Sequence, residues 1–398
     1  MKKTFTLVAA LAFCIISRAQ TSVSTQGSQY VVIHEMTGAW CGYCPDGADI
    51  LEQILASNPK AMAISIHDAN GYGPTADAMQ IADGDAFVNT PGYIGVGPYA
   101  GYPAATINCL IGGGEGTDTG IGQNRGYWQS EVSGNLSGTP KFDVSMTHSY
   151  NASTKTITIN VTAKALAAIT GDYNINACIT EDSIQSTTPD GNGYYQHSYI
   201  YNQTGSAYYH KGTLISSGTW GLSSPDYYHM NVLRAMLGGT WGTTSVIATN
   251  APANGTYTKT YTYVIPSTQN PSHIKITAYV QKNNATNSND RPIANGIQAK
   301  LVTSTTAVNN VAATINNAKI FPNPASSSIT VNAEIPAQAV ATIAISNVAG
   351  QTVFSNQYKA NANELNENIS LDNLSSGIYF VNISGEGFST TQKITVNK

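Results

Sequence analysis

The sequence predicts a layered α/β domain at the front of the chain and all-β domains behind it. Two observations carry this. Between about residues 20 and 138, apolar runs of strand length alternate with segments of helical period. From about residue 139 onward, apolar and polar residues alternate with period two, and clusters of Asn, Gly, Pro and Ser separate the runs. Charged residues are only 11% of the chain, and Thr, Tyr, Asn and Ser fill their place, which suits extracellular β-structure.

The first element is an export signal. Lys2 and Lys3 precede an apolar run over residues 5–16, and Ser17-Arg18-Ala19 supplies small residues for cleavage after Ala19. The run is too short to span a bilayer comfortably. Phe13 disfavours lipoprotein cleavage at Cys14. No other segment is long and apolar enough to cross, so residues 20–398 are expected to lack a transmembrane segment. A net charge of -4 without a Lys/Arg cluster argues against nucleic acid and against an anionic membrane surface.

Residues 20–138 form the expected α/β domain. A strand is predicted over 30–36. A helix follows over 44–57, with Ile50, Leu51, Ile54 and Leu55 on one face, and Asn58-Pro59 stops it. A second strand covers 61–66. A long Gly-rich connection (71–101) contains a helix near 76–88. A strand over 104–111 and a helix over 123–136 complete the domain, with strand–helix–strand order favouring parallel pairing. A β-sandwich is expected over 139–305, from alternating runs at 155–163, 173–179, 257–265 and 274–280. Long loops and irregular strands are expected over 187–245. Residues 306–317 read as a linker, and 318–398 as a small all-β domain.

Loss of the signal removes Cys14 and leaves Cys41, Cys44, Cys109 and Cys178, an even count that favours disulfides in an exported protein. Cys41-Gly42-Tyr43-Cys44 sits between a strand and a helix. A helix N-terminus favours a thiolate, the attacking species in disulfide exchange, and a second thiol three residues on can resolve the mixed disulfide. Pro45 fits the first helical turn. Glu35, six residues before Cys41, is a candidate to take a proton from Cys44. Pro103, in Gly101-Tyr102-Pro103-Ala104, heads a later strand, where a cis bond would bring backbone beside the pair. A zinc site needs two more ligands, which isolated Cys109 and Cys178 do not supply. A purely structural Cys41–Cys44 disulfide stays open.

Cys109 and Cys178 either pair or remain free thiols. Cys109 shares a face with Ile107 and Ile111. Cys178 lies with Asn174, Asn176 and Thr180 on the polar face of its strand, so a bridge requires that face to abut the first domain. His34 should point away from Glu35. His67, at the end of its strand, either neighbours the cysteine pair or is bonded in a loop. The loops at 190–193 and 283–290 lack the EF-hand pattern and read as turns. No motif calls for a metal or a cofactor.

The segment Glu35-Met36-Thr37-Gly38-Ala39-Trp40-Cys41-Gly42-Tyr43-Cys44-Pro45 resembles the active-site segment of thioredoxin-like proteins, and Tyr102-Pro103 resembles their cis-proline position. The resemblance implies that Cys41 is the nucleophile, Cys44 resolves, and Pro103 shapes docking. Glu35 stands where the family usually has Asp, and the 71–101 connection is unusually long. Together with Ile179-Thr180-Glu181-Asp182-Ser183-Ile184 and Tyr228-His229-Met230-Asn231-Val232-Leu233-Arg234, this segment resembles a family of outer-membrane-associated proteins named for a twenty-eight-kilodalton member. That likeness covers most of 28–302 and implies a thioredoxin-like front joined to a β-sandwich. Glu181, His229 and Arg234 are expected to satisfy one another in a polar cluster.

The tail carries Phe321-Pro322-Asn323-Pro324-Ala325, then Ile345-Ser346-Asn347-Val348-Ala349-Gly350-Gln351, Leu374-Ser375-Ser376-Gly377-Ile378-Tyr379, and Gln392-Lys393-Ile394-Thr395-Val396. Their order and spacing resemble the type A C-terminal sorting domain of the type IX secretion system. This implies export by that machinery, and a secreted or cell-surface location associated with the outer membrane. The functional expectation is thiol–disulfide exchange with an unknown protein thiol or disulfide partner. The alternative is a surface binding or adhesion protein in which the cysteine pair is a staple.

Overall fold

The computed structural model describes residues 21–68, 77–93, 101–112, 120–186, 194–303, 318–335, 340–347, 352–361, 364–385 and 388–398. The expected signal (1–19), the linker (306–317), the loop at 190–193 and part of the 71–101 connection lie outside the described residues. Residues 21–303 belong to one compact unit and 318–398 to another.

The first unit begins with β1 (Thr21–Ser24), β2 (Val31–Thr37), α1 (Cys44–Ser57), β3 (Ala61–His67), α2 (Ala82–Val88), β4 (Ala104–Ile107), β5 (Gly122–Asn124) and α3 (Trp128–Leu136). β2 and β3 are parallel, with Glu35 opposite Ser65 and Thr37 opposite His67. β4 runs antiparallel to β2, and β5 antiparallel to β4. Both faces of β2 are covered, which explains its unbroken apolar character. Val31 and Ile33 pack with Leu51 and Ile54 of α1 and with Trp128 and Val132 of α3. On the opposite face Val32, Met36, Ile64 and Ile66 pack with Phe87 and Val88 of α2. Fully burying such side chains stabilises by roughly 1.5–3 kcal/mol each.

Local chemistry sets the ends. Pro45 sits in the first turn of α1, where a missing N–H is harmless, and Asp46 faces the positive end of the helix. At the other end, the Asn58 N–H returns to the Ile54 carbonyl. The strand expected over 104–111 stops at Ile107, because Asn108 and Cys109 turn with φ of 51° and 48°. The helix expected over 123–136 is shorter. Gln123 is buried in β5, and the Asn124 side chain caps the turn that leads into α3.

The chain continues through β6 (Phe142–Asn151), β7 (Thr156–Ala165), β8 (Tyr173–Glu181), β9 (Ile184–Gln185), β10 (Gln196–Ser198), β11 (Thr213–Ser216), β12 (Thr219–Leu222), β13 (Tyr228–His229), β14 (Val232–Met236), β15 (Thr256–Val264), β16 (Ile274–Lys282) and β17 (Ile293–Lys300). One sheet has the order β1-β6-β7-β15. Its Val144, Ile157 and Ile159 share a core with Ile175, Ala177, Ile276 and Ala278 of β8 and β16.

Those two strands belong to an eight-stranded sheet, β17-β16-β8-β14-β3-β2-β4-β5. β14 is the joint, parallel to β3 and antiparallel to β8. The sequence pattern changes at residue 139, but residues on both sides of that point share this sheet and one packed unit.

The second unit contains β18 (Lys319–Phe321), β19 (Ser328–Glu334), β20 (Val340–Asn347), β21 (Thr352–Lys359), β22 (Glu364–Ser370), β23 (Gly377–Gly385) and β24 (Phe388–Val396). Its sheets, β18-β19-β22 and β21-β20-β23-β24, enclose Ile329, Val331, Ile343, Ile345, Val381 and Ile394. Among the described residues no helix is long and apolar enough to cross a membrane.

Candidate functional site

The turn from β2 into α1 carries Cys41 and Cys44, joined as a disulfide with Cα atoms 5.4 Å apart. Cys41 is 4% exposed and Cys44 is 0% exposed. Cys44 opens the helix, so Cys41 lies just ahead of it rather than on its first turn. Asp77 Oδ2 accepts from the Ala39 amide at 2.7 Å and pairs with His67 Nδ1 at 2.9 Å. Burial raises the Asp77 carboxyl, but the His67 charge and hydrogen bond and the Ala39 and Met79 amides outweigh it and hold the group below its ordinary value. Trp40 Nε1 donates to the Asp68 carbonyl at 2.9 Å, and the Tyr102 hydroxyl donates to the Asp68 carboxylate.

A distant segment crosses this turn. The His197 amide donates to Ala39 O at 2.7 Å, and the Tyr199 amide to Gly42 O at 2.8 Å. Gln196 Nε2 donates to Cys41 O at 2.9 Å and Gly38 O at 3.3 Å. On its other side β10 pairs with β12, so the cysteine turn lies along the edge of a small sheet, β10-β12-β11. Gly42 permits the approach: a Cβ there would stand 2.2 Å from the Tyr199 ring. Tyr102-Pro103 is cis, and Pro103 packs on α1 where a Cβ at Gly47 would come within 2.8 Å of it. Trp40, Cys41, Tyr43, Tyr102 and Tyr199 line a cleft of about 300 Å³.

Glu35 is buried beneath α1, facing Ala48 and Leu51 across a cavity of about 20 Å³, room for a single water. Those residues lie one to two turns beyond Cys44. Glu35 Oε2 accepts from Ser65 Oγ at 2.7 Å, while Oε1 has no hydrogen-bond partner among the described residues. Burial raises this carboxyl to about 7, against the opposing effects of the Ser65 bond and the His67 charge.

His67 and His229 line the same cavity, with rings 5.3 Å apart. His229 Nε2 donates to Tyr194 O at 2.7 Å, and burial, followed by the nearby His67 charge, lowers His229 to about 3. The expected cluster of Glu181, His229 and Arg234 is therefore corrected. Arg234 lies 3.2 Å from Glu181, which also accepts from the Asn270 amide, while His229 sides with His67. His34 occupies the opposite face of β2, with its ring 4.6 Å from Phe87.

Cys109 and Cys178 are free thiols, both fully buried in one apolar cluster. The polar face of β8 does abut the α/β part, as a bridge would require. There Asn176 bonds the Gly239 carbonyl, and the Cys178 Sγ lies 3.8 Å from the Tyr279 hydroxyl. Cys109 instead lies 3.6 Å from Thr106 Oγ1. Burial pushes each thiol up to about 12. The shared face expected for Cys109 and Ile111 does not form, because the strand has already ended and Ile111 is 53% exposed. Among the described residues no three His, Cys, Asp or Glu side chains gather to hold a metal ion.

Sequence reasoning brought Cys41, Cys44, Glu35 and Pro103 to one region; the structure has Cys41, Cys44 and Pro103 around the start of α1, and Glu35 beneath the helix one to two turns further on. It missed Asp77, Gln196 and Tyr199, whose links to the turn are long-range and carry no periodic signal.

Comparison with known proteins divides the chain in the same way. Residues 319–397 match the family of secretion system C-terminal sorting domains. That tail implies export through the type IX machinery, to the cell surface or beyond. No curated protein matches the chain. Among solved structures the chain is similar to HBP35 of Porphyromonas gingivalis, with 17% identity over 93% of this chain and 99% of that one, at a TM-score of 0.49. A protein of Agrobacterium tumefaciens is similar at 13% identity over 70% of this chain and 96% of that one, with a TM-score of 0.38.

Proposed function

We propose that the chain is an exported, thioredoxin-like thiol–disulfide exchange protein. The observation that carries this reading is the Cys41–Cys44 disulfide at the start of α1, with Pro103 packed on the same helix and Tyr102 beside Cys41 in one cleft. The parallel β2/β3 pair, the antiparallel strands that follow and the helices on both faces support a thioredoxin-like reading of 20–138. The joined sandwich supports the two-part architecture of the outer-membrane-associated family over 28–302.

Outside the cell the resting form is the disulfide. A substrate thiolate attacks Cys41 Sγ, and the electron pair of the broken bond leaves on Cys44 Sγ. Cys44 is fully buried, so its thiolate calls for a proton. Glu35, a buried acid held near neutrality beneath the same helix, is the candidate source of that proton. A second substrate thiolate then releases Cys41. Insulin reduction in the presence of dithiothreitol tests this, with Cys41→Ser as control. Activity lost in the variant supports the reading; equal rates contradict it.

One observation favours a second reading. Cys41 and Cys44 are almost wholly buried and crossed by residues 196–199, as suits a staple in a surface binding or adhesion protein. On that reading reduction lowers stability and no thiol substrate is turned over.

A further inference from the structure

The carbonyl oxygens of Gly38, Ala39, Cys41 and Gly42 all accept hydrogen bonds from residues 196–199. That flank of the cysteine turn is closed to an incoming chain. Among the described residues, the approach left to a substrate sulfur is the cleft on the Tyr102 side, at whose wall Cys41 lies. Four rings frame it. Tyr43 and Tyr199 meet edge to face at 5.4 Å, and Trp40 and Tyr102 at 5.0 Å. No charged side chain lines it among the described residues. At about 300 Å³ it stands at the small end of ligand pockets and suits one large side chain rather than a folded surface. Ring edges and faces of this kind favour aromatic and large apolar groups.

We propose that Tyr199, contributed by a segment far from the α/β core, is a specificity-determining residue. It makes the site select protein thiols in which an aromatic or large apolar side chain flanks the cysteine. The inference rests on the exchange reading above. In the selected step the substrate thiolate forms a bond to Cys41 Sγ as the Cys41–Cys44 bond breaks, and Cys44 Sγ leaves with the electron pair and takes a proton. A second substrate thiol then closes the substrate disulfide and frees Cys41, so two electrons and two protons pass from substrate to protein.

The test is single-turnover oxidation of two reduced dithiol peptides by the full oxidised chain, followed by mass spectrometry. The peptides differ only in Phe or Gly beside the first cysteine, and dithiothreitol serves as the small thiol. The Phe peptide is expected to react about tenfold faster, the scale on which an apolar pocket discriminates. Tyr199→Phe keeps that preference, and Tyr199→Ala brings the two rates together while dithiothreitol still reacts. Equal peptide rates in the unaltered chain, or a preference that survives Tyr199→Ala, overturn the specificity alone. Failure of every thiol, dithiothreitol included, overturns the exchange reading and this inference with it.

Discussion

Replacing Glu35 with Gln should stabilise the fold above neutral pH and leave it nearly unchanged in acid. The carboxyl is 2% exposed, and one of its oxygens has no partner among the described residues. Burial is the largest cause of its rise from 4.5 to about 7. The folded chain therefore prefers the protonated acid. That preference stabilises fully below pH 4.5 and is lost as pH rises through about 7. The rise corresponds to about 3 kcal/mol at roughly 1.36 kcal/mol per pH unit. Gln has nearly the same shape, can still accept from Ser65 Oγ, and does not ionise. Urea titrations from pH 4 to 8.5, followed by tryptophan fluorescence, measure the difference. Trp40, Trp128, Trp220 and Trp241 are the only tryptophans and all lie in 21–303, so the signal belongs to that unit. The gap should be near zero at pH 4 and grow to about 3 kcal/mol at the alkaline end. A gap that does not change with pH, or one favouring the unaltered chain at pH 8, refutes the reasoning.

Three further outcomes follow from the same geometry. Gly42→Ala forces the Tyr199 ring to move; overpacking of this kind should cost roughly 1–3 kcal/mol in urea titration, and an unchanged stability contradicts it. Asp77→Asn breaks the buried His67 pair and weakens the hold on the Ala39 amide, and should cost about 3 kcal/mol in urea titration, with a loss under about 1 kcal/mol opposing the assignment. Cys109 and Cys178, pushed up to about 12 by burial, should resist iodoacetamide at pH 8 until the chain unfolds; modification of the native protein, mapped by mass spectrometry, would show that the core opens to solvent.

Parts of this arrangement were legible because local chemistry specifies them. α1 runs from Cys44 to Ser57 as expected, with Pro45 and Asn58-Pro59 marking its ends and Leu51 and Ile54 repeating at helical spacing. Cys41, Cys44, Glu35 and Pro103 were found by their spacing within or beside predicted strands. The joint between the two halves was not legible. β14 is a five-residue strand, Val232–Met236, with no alternation to announce it. β8 alternates as though one face met solvent, yet both faces are buried, and the Asn174 and Asn176 side chains are satisfied by the Trp241 and Gly239 carbonyls. Gln196 meets the Cys41 carbonyl across 155 residues, a contact made by tertiary packing alone.

The equilibrium between the disulfide and dithiol forms of Cys41 and Cys44 tests the central claim most directly. Oxidised and reduced chain would be quantified by alkylation and mass spectrometry across a series of thiol–disulfide buffers, with Cys109 and Cys178 as internal references. The exchange reading predicts a potential within about −120 to −270 mV, the range of proteins that pass disulfides to others. A potential below about −300 mV, where structural disulfides lie, would contradict it and leave the pair as a staple.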